Sequence, residues 1–408
     1  VEDNTTLANN RRQFDDHTLL TRVLSDVSSR HTAHTLLGQT YAAPFGIAPV
    51  GVSALIAFNG DNVMASAAYK LGIPMILSGS SLTRLEEVKQ HHPQVWFQAY
   101  LPGQPDLQDA LIERVAAAGI DTLVITVDIP VWANRENNMR AGFSLPLRPS
   151  LSLLVDGLLH PRWSLGTFWS TLQSKGMPHF ENSFATRGAP VFSSAAVRDT
   201  TGRDHINWAH IARIRRLWQG KLIIKGVLSV NDARLSQQYG ADGIIVSNHG
   251  GRQLDTVTSP LQQLPLIRQA VGPDYVVMMD SGIRRGTDVI KALALGADFV
   301  FTGRPFISAA TVAGVVGVVH AIALLQQEVE RDMGMLGING TLPIHYTEQV
   351  IKHARFKRDE SGRAFLDLFT NRAVGHYNAY LQQLGEKTQV DTNMEQRKTE
   401  GFSRVTGQ

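Results

Sequence analysis

The chain has 408 residues, of which 43% are hydrophobic and 18% charged, so it carries ample apolar material for a folded core. It contains no cysteine, which excludes disulfides and thiolate metal sites. Its formal net charge of +3 is spread along the chain instead of lying in blocks, which argues against nucleic acid as a partner.

A sequence motif recurs along the chain. It consists of a glycine, an acidic residue, an apolar run and then polar residues. It reads GIDTLVITVD from Gly119, GADGIIVSNH from Gly240 and GADFVFTGRP from Gly296. Apolar runs rich in β-branched residues predict strands that are buried on both faces. The three full motifs and the shorter variants of the motif together give eight candidate strands, at residues 45–51, 72–80, 95–100, 119–128, 221–227, 240–249, 275–282 and 296–305.

Helix-like stretches separate most of these strands. GDNVMASAAYKLG (60–72) and DLQDALIERVAAAG (106–119) are rich in alanine, carry an aspartate at the start and end in glycine. Alternating strands and helices predict a parallel sheet covered by helices, and eight such units favour a closed (β/α)8 TIM barrel over an open, doubly wound sheet. We expect residues 1–375 to form one barrel domain and residues 376–408 to be a polar C-terminal tail.

One connection, after the fourth predicted strand, is much longer than the others. It runs from Asp128 to Lys221, where a helix and its turns need about 30 residues. We therefore expect an insertion, at about residues 142–205, on the active-site face. Its stretch LSLLVDGLLHPRWSLGTFW (151–169) suits either a contact with a membrane surface or packing against the barrel or a neighbouring subunit. The longest apolar stretch, about residues 312–325, is too short to span a bilayer.

Active sites of (β/α)8 barrels lie at the C-terminal ends of the strands. Nearly every predicted strand here ends on a hydrogen-bonding or ionisable residue, and charges in such places are costly unless they have partners. The strand ends therefore predict one functional site. They comprise Pro49, Val50, Gly51, Ser78, Gln98, Tyr100, Thr126, Asp128, Lys225, Ser247, His249, Asp280, Gly303 and Arg304.

Two segments at the end of the predicted barrel indicate a phosphate site. DSGIRRG (280–286) and TGRP (302–305) end the last two strands, where barrels often bind phosphate through glycine amides and the start of a short helix. Arg284 and Arg304 can add charge-assisted hydrogen bonds. The alternative for each arginine is a surface ion pair.

The stretch SNHGGR, residues 247–252, has the composition of a catalytic loop. Histidine is the usual general base near neutral pH, so His249 is a candidate, with Asp128 placed to orient it. Arg252 presents a planar fork suited to a carboxylate. A base and a carboxylate clamp together indicate a small organic acid that loses a proton or a hydride. No metal site is predicted, because no second histidine or carboxylate cluster has ligand spacing.

Lys225 ends the fifth predicted strand, after two isoleucines. A lysine in this position can form a Schiff base, pair with an anionic cofactor or bridge to a carboxylate. Position alone leaves these three roles open.

Several stretches resemble one known family. SNHGGRQLD (247–255) is similar to the signature of the FMN-dependent α-hydroxy acid dehydrogenases and oxidases, which include glycolate oxidase, lactate dehydrogenase and mandelate dehydrogenase. The resemblance covers about residues 1–340. It is supported by VEDNTT (1–6), WFQAY (96–100), TVDIP (126–130), IIKG (223–226) and DSGIRRGTDVIKALALGAD (280–298).

The resemblance implies a role for each candidate residue. His249 would be the base, supported by Asp128, while Arg252 and Arg135 bind the substrate carboxylate and Tyr100 lies near the substrate hydroxyl. The cofactor would be FMN. Lys225 would stabilise negative charge at the flavin N1/O2 edge, in place of a Schiff base. The other flavin contacts implied are Pro49, Val50, Gly51, Ser78, Gln98, Thr126 and Ser247 at the ring, Asp280 at the ribityl chain, and Ser281, Gly282, Arg284, Gly303 and Arg304 at the phosphate.

The chain departs from the family pattern in three places. The family has an active-site tyrosine just before the stretch that matches VEDNTT, so we expect residues upstream of Val1. Val50 replaces a threonine found in many relatives, which removes a hydroxyl contact to the flavin. ANRE (133–136) lacks the glycine common before the arginine, so we expect a differently shaped pocket beside Arg135.

The insertion resembles most closely that of the (S)-mandelate dehydrogenase branch. The matching stretches are LLVDGLLHPRWSL (153–165) and GMPHFENSF (176–184), and Gly51 is also typical of that branch. The resemblance implies oxidation of (S)-mandelate or a related aromatic acid, transfer of electrons to a membrane quinone, and a homotetramer peripheral to the inner face of the cell membrane on the cytoplasmic side. The alternatives are an L-lactate dehydrogenase, an oxidase that uses oxygen, or a Schiff-base barrel lyase acting through Lys225.

Overall fold

Eight parallel strands form one sheet in the residues that the computed structural model describes, which are 1–142, 150–193 and 203–340. In the sheet the order is β3-β10-β9-β8-β7-β6-β5-β4, so nearly every strand pairs with its neighbour in sequence. The strands are β3 (Phe45–Ile47), β4 (Ile76–Ser78), β5 (Trp96–Ala99), β6 (Thr122–Thr126), β7 (Lys221–Val227), β8 (Gly243–Val246), β9 (Val276–Met279) and β10 (Phe299–Thr302).

The sheet closes on itself between its first and last strands. A parallel bridge joins Ile47 at the end of β3 to Met75 just before β4. This closure confirms the predicted (β/α)8 barrel and excludes the open, doubly wound alternative. All eight predicted strands are present, and each lies inside its predicted range.

A short antiparallel hairpin, which the sequence did not predict, packs against the barrel interior. It consists of β1 (His34–Leu36) and β2 (Gln39–Tyr41). Leu36 and Tyr41 are buried in the apolar cluster that fills the barrel, and the Tyr41 ring lies 5.9 Å from that of Phe299. The hairpin was not predicted because its strands of three residues lie outside the repeated motif and are too short to show periodicity.

Helices surround the barrel and continue the predicted alternation. Helix α1 (Thr5–Asp15) precedes the hairpin, and α2 (Ser53–Ile56) follows the first barrel strand at the active-site face. The helices between strands are α3 (Gly60–Lys70), α4 (Leu85–His91), α5 (Pro105–Ala117), α10 (Trp208–Leu217), α11 (Val230–Gln238), α12 (Pro260–Val271), α13 (Gly286–Ala294) and α14 (Arg304–Leu336). Residues 341–408, which include the predicted tail, lie outside the described residues.

Helix α14 is long and apolar enough, by length and composition, to cross a membrane, with a mean hydropathy of 2.1 over its best window. It is broken by non-helical backbone at Ala313 and Gly314, and its second half packs on the barrel through buried residues such as Ile322 and Val329. The described residues hold no other helix that meets this test. Its packing is that of the eighth helix of the barrel.

The long connection between β6 and β7 carries the predicted insertion. Within it lie α6 (Glu136–Arg140), α7 (Leu151–Leu159), α8 (Pro161–Trp163), a π-helix (Ser164–Trp169) and α9 (Ser170–Lys175). The Trp163 indole donates a hydrogen bond of 2.8 Å to the Leu55 carbonyl, which ties the insertion to α2. Residues 143–149 and 194–202 lie outside the described residues.

Candidate active site

The carboxyl ends of β6 and β8 bring Asp128 and His249 together. Asp128 Oδ1 lies 2.9 Å from His249 Nδ1. Burial alone would raise the pKa of Asp128, but the His249 charge and hydrogen bond, with Lys225 nearby, hold that pKa below its usual value. A neutral His249 that donates from Nδ1 leaves Nε2 as an acceptor. That nitrogen lies 3.4 Å from the Tyr100 hydroxyl.

The loop after β8, which the sequence predicts to be catalytic, has an unusual backbone conformation. His249 itself has a φ of 58°, in the left-handed region that is strained for a residue with a side chain. Its amide donates to the Ser247 hydroxyl over 3.0 Å, which helps to fix the turn. Gly251 also has a positive φ, and a Cβ there would lie 2.8 Å from the Leu7 amide nitrogen. The glycine is required because α1 approaches the loop so closely.

Two arginines flank this pair. Arg135 donates to the Arg252 carbonyl and to the Gln253 side chain, at 3.2 and 3.3 Å. Burial and the nearby Arg252 guanidinium lower the pKa of Arg135. Neither guanidinium forms an ion pair with a carboxylate among the described residues, and two neighbouring cations suit an anion.

Lys225 is buried among groups that the sequence also placed in the site. Its ammonium lies 2.9 Å from Asp280 and donates to the Ser247 hydroxyl over 2.9 Å. Of the three roles open from position, the structure contains the carboxylate bridge. Asp280 also accepts a hydrogen bond from Ser281, so strands β7, β8 and β9 share one network at their ends.

Two buried polar atoms without a partner among the described residues lie at the ends of β5 and β6, on the rim that carries the other predicted site residues. In the register of the sheet, Ser78 pairs with Gln98, and the Ser78 hydroxyl donates to the side-chain oxygen of Gln98, Oε1. Gln98 Nε2 and Thr126 Oγ1 are buried without a hydrogen-bond partner in the described structure. Such atoms are costly unless a ligand supplies their partners. A flavin ring, with acceptors and a donor along one edge, fits these groups.

The loops after β3 and β10 lie against each other and complete the rim. A Cβ at Gly303 would lie 3.2 Å from the Val50 side chain, and one at Gly51 would lie 3.2 Å from Ser80. Pro49 precedes these residues at the end of β3. At this spacing an added Cβ would force the neighbouring side chain to move by a few tenths of an ångström, so the two glycines keep these loops close together.

The ends of β9 and β10 gather positive charge. The pKa of Arg284 is lowered by burial and by the neighbouring guanidinium groups of Arg304 and Arg11. Arg284 and Arg304 have no carboxylate partner in the described ranges, although Arg304 donates to the Gly250 carbonyl. Gly282 has a φ of 93° and lies directly against α1. Arginines beside a glycine turn suit a phosphate.

Helix α1 contacts this site through residues that the sequence left unassigned. Asn10 and Asn248 exchange two side-chain hydrogen bonds, of 2.8 and 2.7 Å. Asp255 accepts from the backbone amides of Thr5 and Thr6, at 3.0 and 2.7 Å, and so caps the first turn of α1. Asn248 and Asp255 both lie in the motif SNHGGRQLD, but only long-range contacts could show what they hold.

A second link from α1 is made by Arg11. It forms an ion pair of 2.6 Å with Asp288 and donates to the Gly282 carbonyl. Asp288 also accepts from the backbone amides of Arg284 and Arg285. Helix α1 therefore links the loop after β8 to the loop after β9.

Comparison with known proteins identifies the family. The sequence model of the FMN-dependent dehydrogenases matches residues 1–347. The chain belongs to this family. The L-lactate dehydrogenase of Vibrio cholerae serotype O1 is 38% identical over 340 residues, which are 81% of this chain and 87% of that protein. Family membership makes the chain an FMN-dependent oxidoreductase of 2-hydroxy acids, as the signature predicted.

Solved structures of the family superpose well on the barrel. The monotopic membrane protein (S)-mandelate dehydrogenase matches with a TM-score of 0.79 and 33% identity, over 85% of this chain and 91% of that chain. A mandelate oxidase variant with a monooxide FMN adduct matches with a TM-score of 0.66 and 28% identity, over 84% of this chain and 90% of that chain. A short match to the type VI secretion TssG family covers residues 326–407, most of which lie outside the described residues.

Proposed function

We propose that the chain oxidises an (S)-2-hydroxy acid to the 2-keto acid with His249 as the base. The observation that carries the proposal is the His249–Asp128 pair, whose second ring nitrogen faces the Tyr100 hydroxyl. His249 Nε2 takes a proton from the substrate, and Asp128 stabilises the imidazolium that results. Tyr100 lies where it can hydrogen-bond the substrate hydroxyl.

Arg252 and Arg135 bind the substrate carboxylate in this proposal. The two arginines are neighbours, since Arg135 donates to the Arg252 carbonyl and the Arg252 charge lowers the pKa of Arg135. A bound carboxylate would relieve the repulsion between the two charges. Holding the acid group in this way turns the hydroxyl and the α carbon toward His249 Nε2. Positioning of this kind contributes a large share of the rate in enzymes with two reacting groups.

The residues present fit FMN. Bound FMN supplies the acceptor for the two electrons that leave the substrate. The buried Gln98 Nε2 and Thr126 hydroxyl, which have no partner among the described residues, would bond the ring edge, and Lys225 would stabilise negative charge there. The other proposed contacts are Pro49, Val50, Gly51, Ser78 and Ser247 near the ring, Asp280 at the ribityl chain, and Ser281, Gly282, Arg284, Gly303 and Arg304 around the phosphate.

The substrate that we favour is (S)-mandelate or a related aromatic acid. The likeness of the fold to (S)-mandelate dehydrogenase supports it, as does the sequence resemblance of residues 153–165 and 176–184 to the insertion of that branch. Lactate is the alternative, supported by the L-lactate dehydrogenases among the relatives. The two acids share the carboxylate and the hydroxyl, so the residues named above serve either.

We further propose that the electrons pass to a membrane quinone and that the insertion binds the inner face of the cell membrane from the cytoplasmic side. Leucines along α7 support this, because Leu151, Leu158 and Leu159 are 77%, 73% and 72% exposed. Large exposed apolar patches mark interaction surfaces, and a leucine-rich helix suits a lipid interface. A homotetramer is proposed from the family resemblance. Oxygen is the alternative acceptor.

A single set of experiments tests substrate and acceptor together. The purified FMN-loaded protein is mixed anaerobically with (S)-mandelate, (S)-lactate or glycolate, and bleaching of the flavin absorbance is followed. Reduction fastest with (S)-mandelate, followed by faster reoxidation with a quinone than with oxygen, is expected. Fastest reduction with lactate would transfer the substrate assignment to that acid, and failure of all 2-hydroxy acids would contradict the proposed reaction.

A further inference from the structure

Arg203 is a partly buried cation beside the proposed site that takes no part in the proposed reaction. Its guanidinium carbon lies 5.2 Å from the centre of the Tyr100 ring, over the face of that ring. The Tyr100 hydroxyl in turn faces His249 Nε2. Tyr100 therefore contacts both the proposed base and Arg203. Arg203 Nε is buried without a hydrogen-bond partner in the described structure.

Buried and partly buried arginines in the described ranges usually have a carboxylate partner. These pairs are Arg11 with Asp288, Arg30 with Glu330, Arg114 with Glu86, Arg213 with Asp109, Arg215 with Asp242, and Arg268 with Asp298. Burying a cation is costly unless it is paired, so such pairing is expected.

The partly buried arginines without a carboxylate in those ranges are Arg135, Arg284 and Arg203. Two of these three have an anion assigned to them in the proposed function. Arg135 receives the substrate carboxylate, and Arg284 receives the phosphate of FMN. Arg203 is the remaining member of this group, and the burial that lowers its pKa would be offset by an incoming anion.

We infer that Arg203 is a specificity residue that binds a second carboxylate, carried on the side chain of the hydroxy acid. The inference rests on the proposed function, because it assumes that Arg135 and Arg252 hold the carboxylate next to the hydroxyl. Arg203 then remains for an anionic group further along the substrate. Its planar fork suits a carboxylate, and a site with an unpaired buried donor disfavours a substrate that leaves the donor empty.

The test compares acids that differ only in this second carboxylate. One pair is (S)-2-hydroxyglutarate and (S)-2-hydroxypentanoate, and the other is 4-carboxymandelate and mandelate. We expect kcat/KM for flavin reduction to be about 10- to 100-fold higher for the diacid in at least one pair, as a charged hydrogen bond provides. A readout independent of turnover is the dissociation constant of glutarate against that of pentanoate, from the perturbed flavin spectrum.

Two variants and a control locate the effect. Arg203→Met should remove the preference for the diacid while it leaves the monoacid within a few-fold, and Arg203→Lys should keep part of the preference. Arg216→Met is the matched control, because Arg216 is an exposed arginine on α10, the helix that follows Arg203. The control should retain the whole preference.

Each outcome bears on the inference. A wild-type protein that handles both members of each pair equally would overturn it, whatever the variants do. Equal slowing of all acids in Arg203→Met would also overturn it, because that pattern means that the arginine only supports Tyr100. If no 2-hydroxy acid reduces the flavin, the proposed function fails instead, and the binding of glutarate against pentanoate still decides the role of Arg203.

Discussion

Asp128 Oδ1 lies 2.9 Å from His249 Nδ1, and this contact determines which ring nitrogen faces the proposed substrate site. The two residues follow β6 and β8, and the histidine has a left-handed backbone conformation with a φ of 58°. The aspartate has a depressed pKa because of the histidine, so the pair is built to carry charge.

Removing that charge should slow the reaction without unfolding the protein. In Asp128→Asn the amide keeps the shape of the carboxylate but cannot stabilise a protonated His249, so we expect flavin reduction by the substrate to slow about 100-fold or more. Rapid mixing under anaerobic conditions measures this rate. His249→Gln should be slower still, and thermal unfolding of both variants serves as the control for folding. An Asp128→Asn protein that reduces at the wild-type rate would remove the aspartate from the proposal.

The proposed phosphate site predicts a loss of affinity that depends on the phosphate. Arg284→Met should weaken FMN binding about 10-fold or more, because a charge-assisted bond is lost. Binding of riboflavin, which has no phosphate, should be unchanged. Arg285→Met is the matched control, since the neighbouring Arg285 side chain is 69% exposed and pairs with Glu328. Titration of the three apoproteins with both ligands measures the six constants, and equal losses for FMN and riboflavin in Arg284→Met would refute the assignment.

The cap that Asp255 places on α1 should make stability depend on pH in the acid range. Hydrogen bonds from the backbone amide of Thr6, and then from that of Thr5, lower the pKa of Asp255 from 3.8 to about 2. A depressed carboxyl pKa stabilises the fold above the unfolded value of 3.8, and the contribution is lost as the pH falls toward 2. Wild type should therefore unfold at a higher temperature than Asp255→Asn above pH 3.8, with the difference shrinking below it.

Calorimetry at a series of pH values measures this difference. Asp274→Asn is the control, because Asp274 lies in an exposed loop away from α1. A gap between wild type and Asp255→Asn that stays constant through the acid range would show that the carboxylate does not contribute through its charge.

The apolar face of the insertion predicts which part of the chain meets a membrane. Leu154 and Leu158 on α7 are 60% and 73% exposed, so the double change Leu154→Ser, Leu158→Ser should abolish sedimentation with phosphatidylglycerol vesicles. Flavin reduction by the substrate should be unaffected. Val312→Ser, Val316→Ser is the matched control on α14, where the two valines are 84% and 75% exposed. Loss of vesicle binding in the α14 variant alone would move the contact to that helix.

Periodicity predicted the barrel well because each strand and helix unit of a parallel barrel needs the same pattern of residues. Each buried strand needs an apolar run, and each connecting helix needs a residue such as glycine that ends it. The eight strands could therefore be found one by one from local residues. The ends of the strands then followed from the architecture. Lys225 and Asp280 could be placed on one rim from the sequence, although their ion pair could not.

What the sequence could not provide were contacts between distant segments. Asn248 and Asp255 were visible in the signature, yet their partners on α1 lie more than two hundred residues earlier. Arg203 carried no local signal, because nothing near it in the sequence indicates that its guanidinium covers Tyr100. The hairpin β1–β2 was missed because its strands are too short to show a pattern.

The pairing of Asn10 with Asn248 has a consequence for how the protein is made. The two residues are 238 positions apart, so the helix that organises the catalytic loop is synthesised long before the loop exists. Contacts between such distant positions form late, because the cost of closing so long a loop must be met first. In a growing chain, Asn10 on α1 therefore cannot bond to Asn248 until the loop after β8 has left the ribosome. The contact between α1 and the loop after β8 is then among the last to form as the chain folds.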